Sequence, residues 1–231
     1  MHELLADPPV SIWAGPEDGQ IDDLTDDHAY YASRASRRIA DSLVRWLDLP
    51  AGLRWLDVAC LSGAVAGAVL TGAGPAEVHA VEPTSKFARH ARGQVVRPSA
   101  RHSPTRGVAL PFGDGRFDVV VTGVLEGFVP ESSCAVSELV RVASTPGVVA
   151  AYLSLPGPDG PLRAGEQRDL LRAMTGLWTN AGLHGVVAEA LTVPAPARRG
   201  RAGDDASDTG GRLFVVRGIR VAQIRRNGST E

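Results

Sequence analysis

The chain has 231 residues, 44% of them apolar and 22% charged, with a net charge of −2. That length suffices for one large α/β domain with a full core, and the charge gives no overall electrostatic footprint for nucleic acid. No apolar run reaches the roughly 18 residues of a membrane span, and the two cysteines, Cys60 and Cys134, are too few for a disulfide framework and lack metal-ligand spacing.

The start, MHELLADPPV, lacks the basic and apolar regions of a signal peptide, so a cytoplasmic protein with no membrane partner is expected. Lys86 is the sole lysine among 24 basic residues, a bias that, with abundant Ala and Gly, suggests a GC-rich bacterial genome. Charge is uneven along the chain. Asp22, Asp23, Asp26 and Asp27 precede the first arginine, Arg34, while the last part is rich in arginine. A solvated surface is the simplest account of that arginine excess.

Residues 1–30 are rich in Pro, Gly and Asp and show no periodicity, so a loop or lid segment is expected there. Ala35, Ile39, Leu43 and Leu47 recur every four residues, with Ala40 and Val44 beside them, and predict a helix over 31–49 that Pro50 and Gly52 end. A buried strand over 54–59 then runs into a small-residue turn and an Ala/Val-rich helix to about residue 70. A short strand over 77–81 ends at Glu82, and Pro83 and Thr84 open a helix. Gln94-Val95-Val96 is a candidate strand, and the Arg/Pro/Ser run up to 107 reads as loop.

The apolar run 117–122, bounded by turn signals, marks a strand buried on both faces, as in a parallel sheet. A helix over 130–143 is broken by Pro146-Gly147, and the next buried strand spans 148–153. After a Pro/Gly-rich loop, Leu170, Met174 and Leu177 mark a helix to about residue 180. A strand over 186–193, a loop over 194–211 expected to be mobile, a strand over 212–221 and a tail over 223–231 complete the chain. This alternation predicts an α/β fold: a Rossmann-like, doubly wound sheet of about seven strands, with helices on both faces. The sheet is expected to be mostly parallel, with an antiparallel final strand, because only a loop joins the last two strands.

WLDVACLSG, VHAVEPTSKFARHAR, LPFGDGRFDVVVTGVLEGFVPES, SELVRVASTPGVVAAYLSLPG and LWTNAGL follow one another in this order. In these motifs the chain resembles the class I S-adenosylmethionine-dependent methyltransferases, especially small bacterial ones, over about residues 31–191. The resemblance implies a methyltransferase-like domain over 31–222 that uses S-adenosylmethionine to methylate a small molecule, as in small-molecule biosynthesis. It implies that Asp57, at the strand end, positions the methionine amine of the cofactor. Glu82 follows Gly63 by 19 residues, where an acid at the second strand's end can accept hydrogen bonds from both ribose hydroxyls. Ala59, Cys60 and Gly63 of the turn, Pro83 after Glu82 and Thr122 of the fourth strand complete the implied cofactor site. The corresponding structural readings are that Asp57 caps a turn, Glu82 is a surface acid and Cys60 is a small buried hydrophobe.

Three positions depart from the family pattern. The glycine-rich turn is here Ala59, Leu61, Gly63, and Leu61 places a large side chain where a cofactor cradle usually has glycine. Arg106 stands where an acid before LPF often binds the adenine amine. Gly147 is followed by Val148 rather than a second glycine.

Methyl transfer needs alignment, desolvation and at most a base from the protein. Glu126, just past the fourth strand, is a candidate general base or acid. His28 and Tyr31 are candidates that the N-terminal segment could bring over the pocket, against a surface histidine and a first-helix core tyrosine. No metal is expected, and the pocket could be closed by residues 1–30, by a homodimer mate or by a partner chain. Two further readings stand beside methyl transfer: an enzyme of this fold that catalyses a cyclisation or rearrangement in the same pocket, and a non-catalytic partner or ligand-binding protein.

Overall fold

The structure is a computed structural model and describes residues 10–14, 34–58, 63–82, 110, 112–123, 132–156, 162–194 and 211–222. Its strands are β1 (Val10–Ala14), β2 (Arg54–Val58), β3 (Glu77–Glu82), β4 (Phe117–Gly123), β5 (Ala143–Pro156), β6 (His184–Val193) and β7 (Gly211–Arg220). Its helices are α1 (Arg34–Leu47), α2 (Ala64–Gly72), α3 (Ser132–Val142) and α4 (Ala164–Asn180).

The strands form one sheet in the order β1-β3-β2-β4-β5-β7-β6. The pairs from β1 to β5 are parallel, and β7 is antiparallel to both its neighbours. This is the expected doubly wound sheet of seven strands, with one difference in its make-up. The seventh strand is β1, inside the stretch read from sequence as loop or lid. Val10 to Ala14 align with Val78 to Glu82 of β3 at one edge. The candidate strand at 94–96, the helix after Pro83 and the loop over 195–210 lie outside the described residues.

Apolar periodicity built the two layers as anticipated. Ile39, Ala40, Leu43 and Leu47 of α1 are buried in one cluster with Val65, Ala66 and Val69 of α2 and Trp55, Val121 and Ala150 of the sheet. Fully burying a leucine side chain contributes about 1.5–3 kcal/mol, so Leu43 and Leu47 alone hold α1 firmly. On the other face, Val136, Leu139 and Val142 of α3 and Met174 and Trp178 of α4 pack on Leu56, Val120, Val149 and Phe214. Trp178, from the LWTNAGL motif, donates its indole N–H to the Val149 carbonyl at 2.9 Å and so ties α4 to β5.

A second difference concerns the junction of α3 and β5. The helix ends at Val142 and β5 begins at Ala143, so Pro146-Gly147 interrupts neither element. The pairing passes from Phe117↔Ala143 to Val119↔Val148, so residues 144–147 bulge opposite Asp118. Proline is tolerated in a sheet at such a bulge because no ladder donor is needed there.

Charged clamps fix the amino end of the sheet. Asp118 accepts from the Arg54 backbone N–H at 2.9 Å and from its guanidinium at 2.9 and 2.7 Å, and Ser144 donates to it at 3.2 Å. Arg116 and His79 both bond Glu77. Arg141 bonds Glu138, Asp114 and the Phe112 carbonyl, and Glu138 accepts from the Leu110 N–H, so the LPFGDG turn is fastened to α3.

The Arg54 side-chain hydrogen bond, the largest influence, draws the Asp118 carboxyl from 3.8 down to about 2. A depressed carboxyl stabilises the fold above its unfolded pKa and loses that contribution as pH falls through its folded pKa. Wild type should therefore exceed Asp118→Asn by about 1 kcal/mol at neutral pH, given the partial exposure of the pair. The gap should hold down to about pH 5 and close between about pH 4 and pH 2 in urea titrations. A gap independent of pH would show that the Asp118 charge contributes nothing.

Candidate active site

The site is built where β2 ends. β2 and β3 pair as far as Val58↔Val81, and β2 and β4 as far as Val58↔Thr122. Glu82 is one residue beyond Val81, and its backbone pairs with Ala14 of β1. The carboxyl ends of β1, β2, β3 and β4 therefore finish at one level, which is where open α/β sheets bind ligands.

Asp57 is 2% exposed. Its Oδ2 accepts the backbone N–H of Ala66, in the first turn of α2, at 3.2 Å. The strand's last carboxylate thus reaches across the turn and satisfies one of the donors that every helix start leaves open. It also places negative charge at the positive end of the helix dipole. Gly63 caps α2 in the left-handed region, φ 73° and ψ 14°. A residue with a Cβ would be strained there, and glycine supplies no side chain to cover the first-turn N–H groups. Those donors are the part of a strand–turn–helix cradle that binds an anionic or polar ligand group.

Thr122 is also 2% exposed and donates its hydroxyl to the Gly123 carbonyl at 3.2 Å. It is a buried residue of the central strand β4, paired with Val58 and Ala151. The structure thus brings Asp57, Gly63, the Glu82 backbone and Thr122 to one edge. Ala59, Cys60, Leu61, Pro83, Arg106, Glu126, His28 and Tyr31 lie outside the described residues. The Asp57–Ala66 bond was foreseen only as a generic turn cap, and the left-handed cap at Gly63 had no separate signal beyond the glycine itself.

A groove of about 300 Å³ lined by Asp41, Arg45, Asp48 and Trp55 lies where α1 and α2 end, at the opposite end of the sheet. Among the described residues no cluster of His, Cys, Asp or Glu could hold a metal, and no helix is long and apolar enough to cross a membrane.

A strand–turn–helix start at β2, an acid at the end of β3 and an antiparallel last strand are the features of the class I methyltransferase fold. A model of the methyltransferase domain matches residues 56–151, from β2 into β5, and the resemblance seen in the motifs holds.

More particular comparisons follow. An uncharacterized protein of Mycobacterium tuberculosis is 29% identical over 126 residues, 53% of this chain and 45% of that protein. The match therefore spans about half of each. A SAM-dependent methyltransferase from Aquifex aeolicus superposes with a TM-score of 0.57 at 14% identity, over 85% of this chain and 98% of that one. The [4+2]-cyclase SpnF superposes with a TM-score of 0.54 at 18% identity, over 81% and 82%. At these identities the likeness to the two solved structures shows the fold alone.

Proposed function

We propose that the protein is an S-adenosylmethionine-dependent methyltransferase acting on a small molecule. The observation that carries this reading is the cradle at the start of α2: Gly63 in the left-handed region, with the buried Asp57 carboxylate tied to Ala66. That arrangement fits the cofactor at its methionine end, because Asp57 and the open first-turn donors face the same turn. Glu82, at the end of β3, is the proposed ribose-binding carboxylate. When bound, S-adenosylmethionine supplies a methyl group already activated on a sulfonium centre. The chain's own residues then have to hold donor and acceptor in line and exclude water.

Glu126 is the proposed base or acid on the acceptor side, three residues beyond Gly123. His28 and Tyr31 are proposed to reach the pocket from the segment between β1 and α1. Two placements support this. β1 has Ala14 beside Glu82, on the site's side of the sheet. α1 runs alongside α2, with Gly72 near Val44 at their carboxyl ends, so α1 begins on the site's side as well. A homodimer mate or partner chain would be the alternative cover, and a cytoplasmic location suits such a reaction.

The second reading, a cyclisation or rearrangement in the same pocket, draws on Leu61 in the turn and on the shared fold with a cyclase. Overpacking a filled site costs about 1–3 kcal/mol, roughly 10- to 100-fold in affinity. Calorimetry with S-adenosylmethionine should give saturable binding to wild type, tighter in Leu61→Gly by that factor if the leucine crowds the cofactor. Absence of binding to both proteins at millimolar ligand would rule out methyl transfer from this cofactor and leave the second reading or a non-catalytic role.

A further inference from the structure

β6 is an edge of the sheet. Among the described residues no strand pairs with its outer side, and it runs for ten residues, His184–Val193. Its sequence, HGVVAEALTV, holds one acid, Glu189, and neither of the residues that commonly blunt an exposed edge, lysine and proline. Large apolar side chains are exposed at Val187 (38%) and Ile219 (42%), and at Val221 just past the end of β7. Ile219 pairs with His184, so exposed apolar surface and open edge share one corner of the domain.

The pairing with β7 assigns the faces. His184 lies opposite Ile219, Val187 opposite Arg217 and Glu189 opposite Val215. These β7 residues alternate along their strand, and Val215 packs in the α1/α2 cluster. His184, Val187 and Glu189 therefore stand in successive rows on the α1 face, and all three are exposed. From 184 to 187 β6 uses three residues where β7 uses two, a bulge that contains Gly185 at φ 58°. His184 and Glu189 are thus each two β7 residues away from Val187, on opposite sides of it. One Glu189 oxygen accepts the Trp46 indole N–H at 3.2 Å. The Arg217 guanidinium turns toward α1, donating to the Leu47 carbonyl at 2.7 Å, and does not face the edge.

This spacing is self-complementary. About a two-fold axis through Val187, an antiparallel copy of β6 sets Val187 against the partner's Val187 and each Glu189 against the partner's His184. Directly opposite residues of an antiparallel pair have Cβ atoms about 4.5–5.5 Å apart, within reach of an imidazole–carboxylate hydrogen bond. The second copy meets the bulge with three residues, 187–189, as β7 does with 217–219. An axis through Glu189 would instead face two carboxylates, which is destabilising.

We propose that the β6 edge joins two copies of this chain, antiparallel about Val187, into one continuous sheet. The interface is isologous, as closed dimers require. It is independent of the methyltransferase reading. The overlap covers His184–Glu189, the amino half of β6, and leaves the cradle at Asp57 and Gly63 open, unlike a mate that closes the pocket.

Sedimentation of the full chain from low to high micromolar concentration should show a reversible monomer–dimer equilibrium. Val187→Lys gives an exposed position the charge that blunts natural edges, and should raise the dissociation constant about tenfold or more. His184→Glu, which opposes two carboxylates, should also weaken the dimer. Both variants should melt like dilute wild type, which separates loss of association from loss of fold. Val187→Cys should give a disulfide-linked dimer on mild oxidation, beyond any background from Cys60 and Cys134, because a residue on the axis meets its own copy at disulfide distance. Thr192→Cys, exposed on the same strand but outside the overlap, should not. A monomer at every concentration, a dimer that either charged substitution leaves intact, or cross-linking of Val187→Cys no greater than that of Thr192→Cys would overturn the proposal.

Discussion

Gly147→Ala should lose about 3 kcal/mol of stability, the upper part of the range for overpacking a filled position. A Cβ at 147 would stand 2.5 Å from the Ser144 carbonyl oxygen, 2.9 Å from the Ser144 nitrogen and 3.0 Å from its hydroxyl. Two of these three are backbone atoms of the bulge, so no side-chain rotation relieves the contact. Moving Ser144 would also disturb its hydrogen bonds to Asp118 and to the Pro146 carbonyl. The strain would therefore spread to the Arg54–Asp118 clamp that begins β2. For a domain of this size, 3 kcal/mol corresponds to a fall in melting temperature of roughly 6–12 °C. Gly176→Ala, in α4 with nothing within 4 Å of the added carbon, is the control and should be neutral or stabilising by up to about 1 kcal/mol. Equal thermal melts for the two variants would show that the bulge accommodates a methyl group.

The same bulge shows where sequence reasoning stops. Pro146-Gly147 is punctuation in any single-sequence reading, and a break between helix and strand followed from it. The strand in fact starts before the punctuation, because Phe117 finds Ala143 across the sheet and residues 144–147 loop out. β1 was missed for a related reason. Five residues flanked by Pro and Gly carry little local signal, and what makes them a strand is parallel pairing with β3, more than 60 positions away. Periodic elements were readable because their signal is local. The α1 stripe of Ile39, Leu43 and Leu47 and the continuous apolar run of β4 turned out buried as their patterns require.

The candidate site was readable in its residue types and less so in its geometry. Asp57 could be placed at a strand end from sequence, but its choice of Ala66 as partner depends on how α2 returns across the turn.

Asp57 is where stability and proposed binding meet, and two substitutions there should separate them. Asp57→Ala removes the acceptor for the Ala66 N–H and leaves that donor in a buried site. An unsatisfied buried group costs about 1–3 kcal/mol, and loss of a charge at a helix N-terminus adds about 0.3–1 kcal/mol. Asp57→Asn keeps an acceptor oxygen for Ala66 at nearly the same shape and gives up only the charge. Its stability should therefore fall by less than half as much, as measured by urea unfolding. Binding should order differently. If the carboxylate holds the methionine amine as proposed, both variants lose its charge, and both should bind S-adenosylmethionine about tenfold or more weakly, the loss expected for a charge-assisted hydrogen bond. Stable folding of Asp57→Asn with wild-type affinity would assign Asp57 to the helix cap alone. A drop in affinity shared by Asn and Ala, against unequal stabilities, would mean that the charge serves the ligand while the hydrogen bond serves the fold.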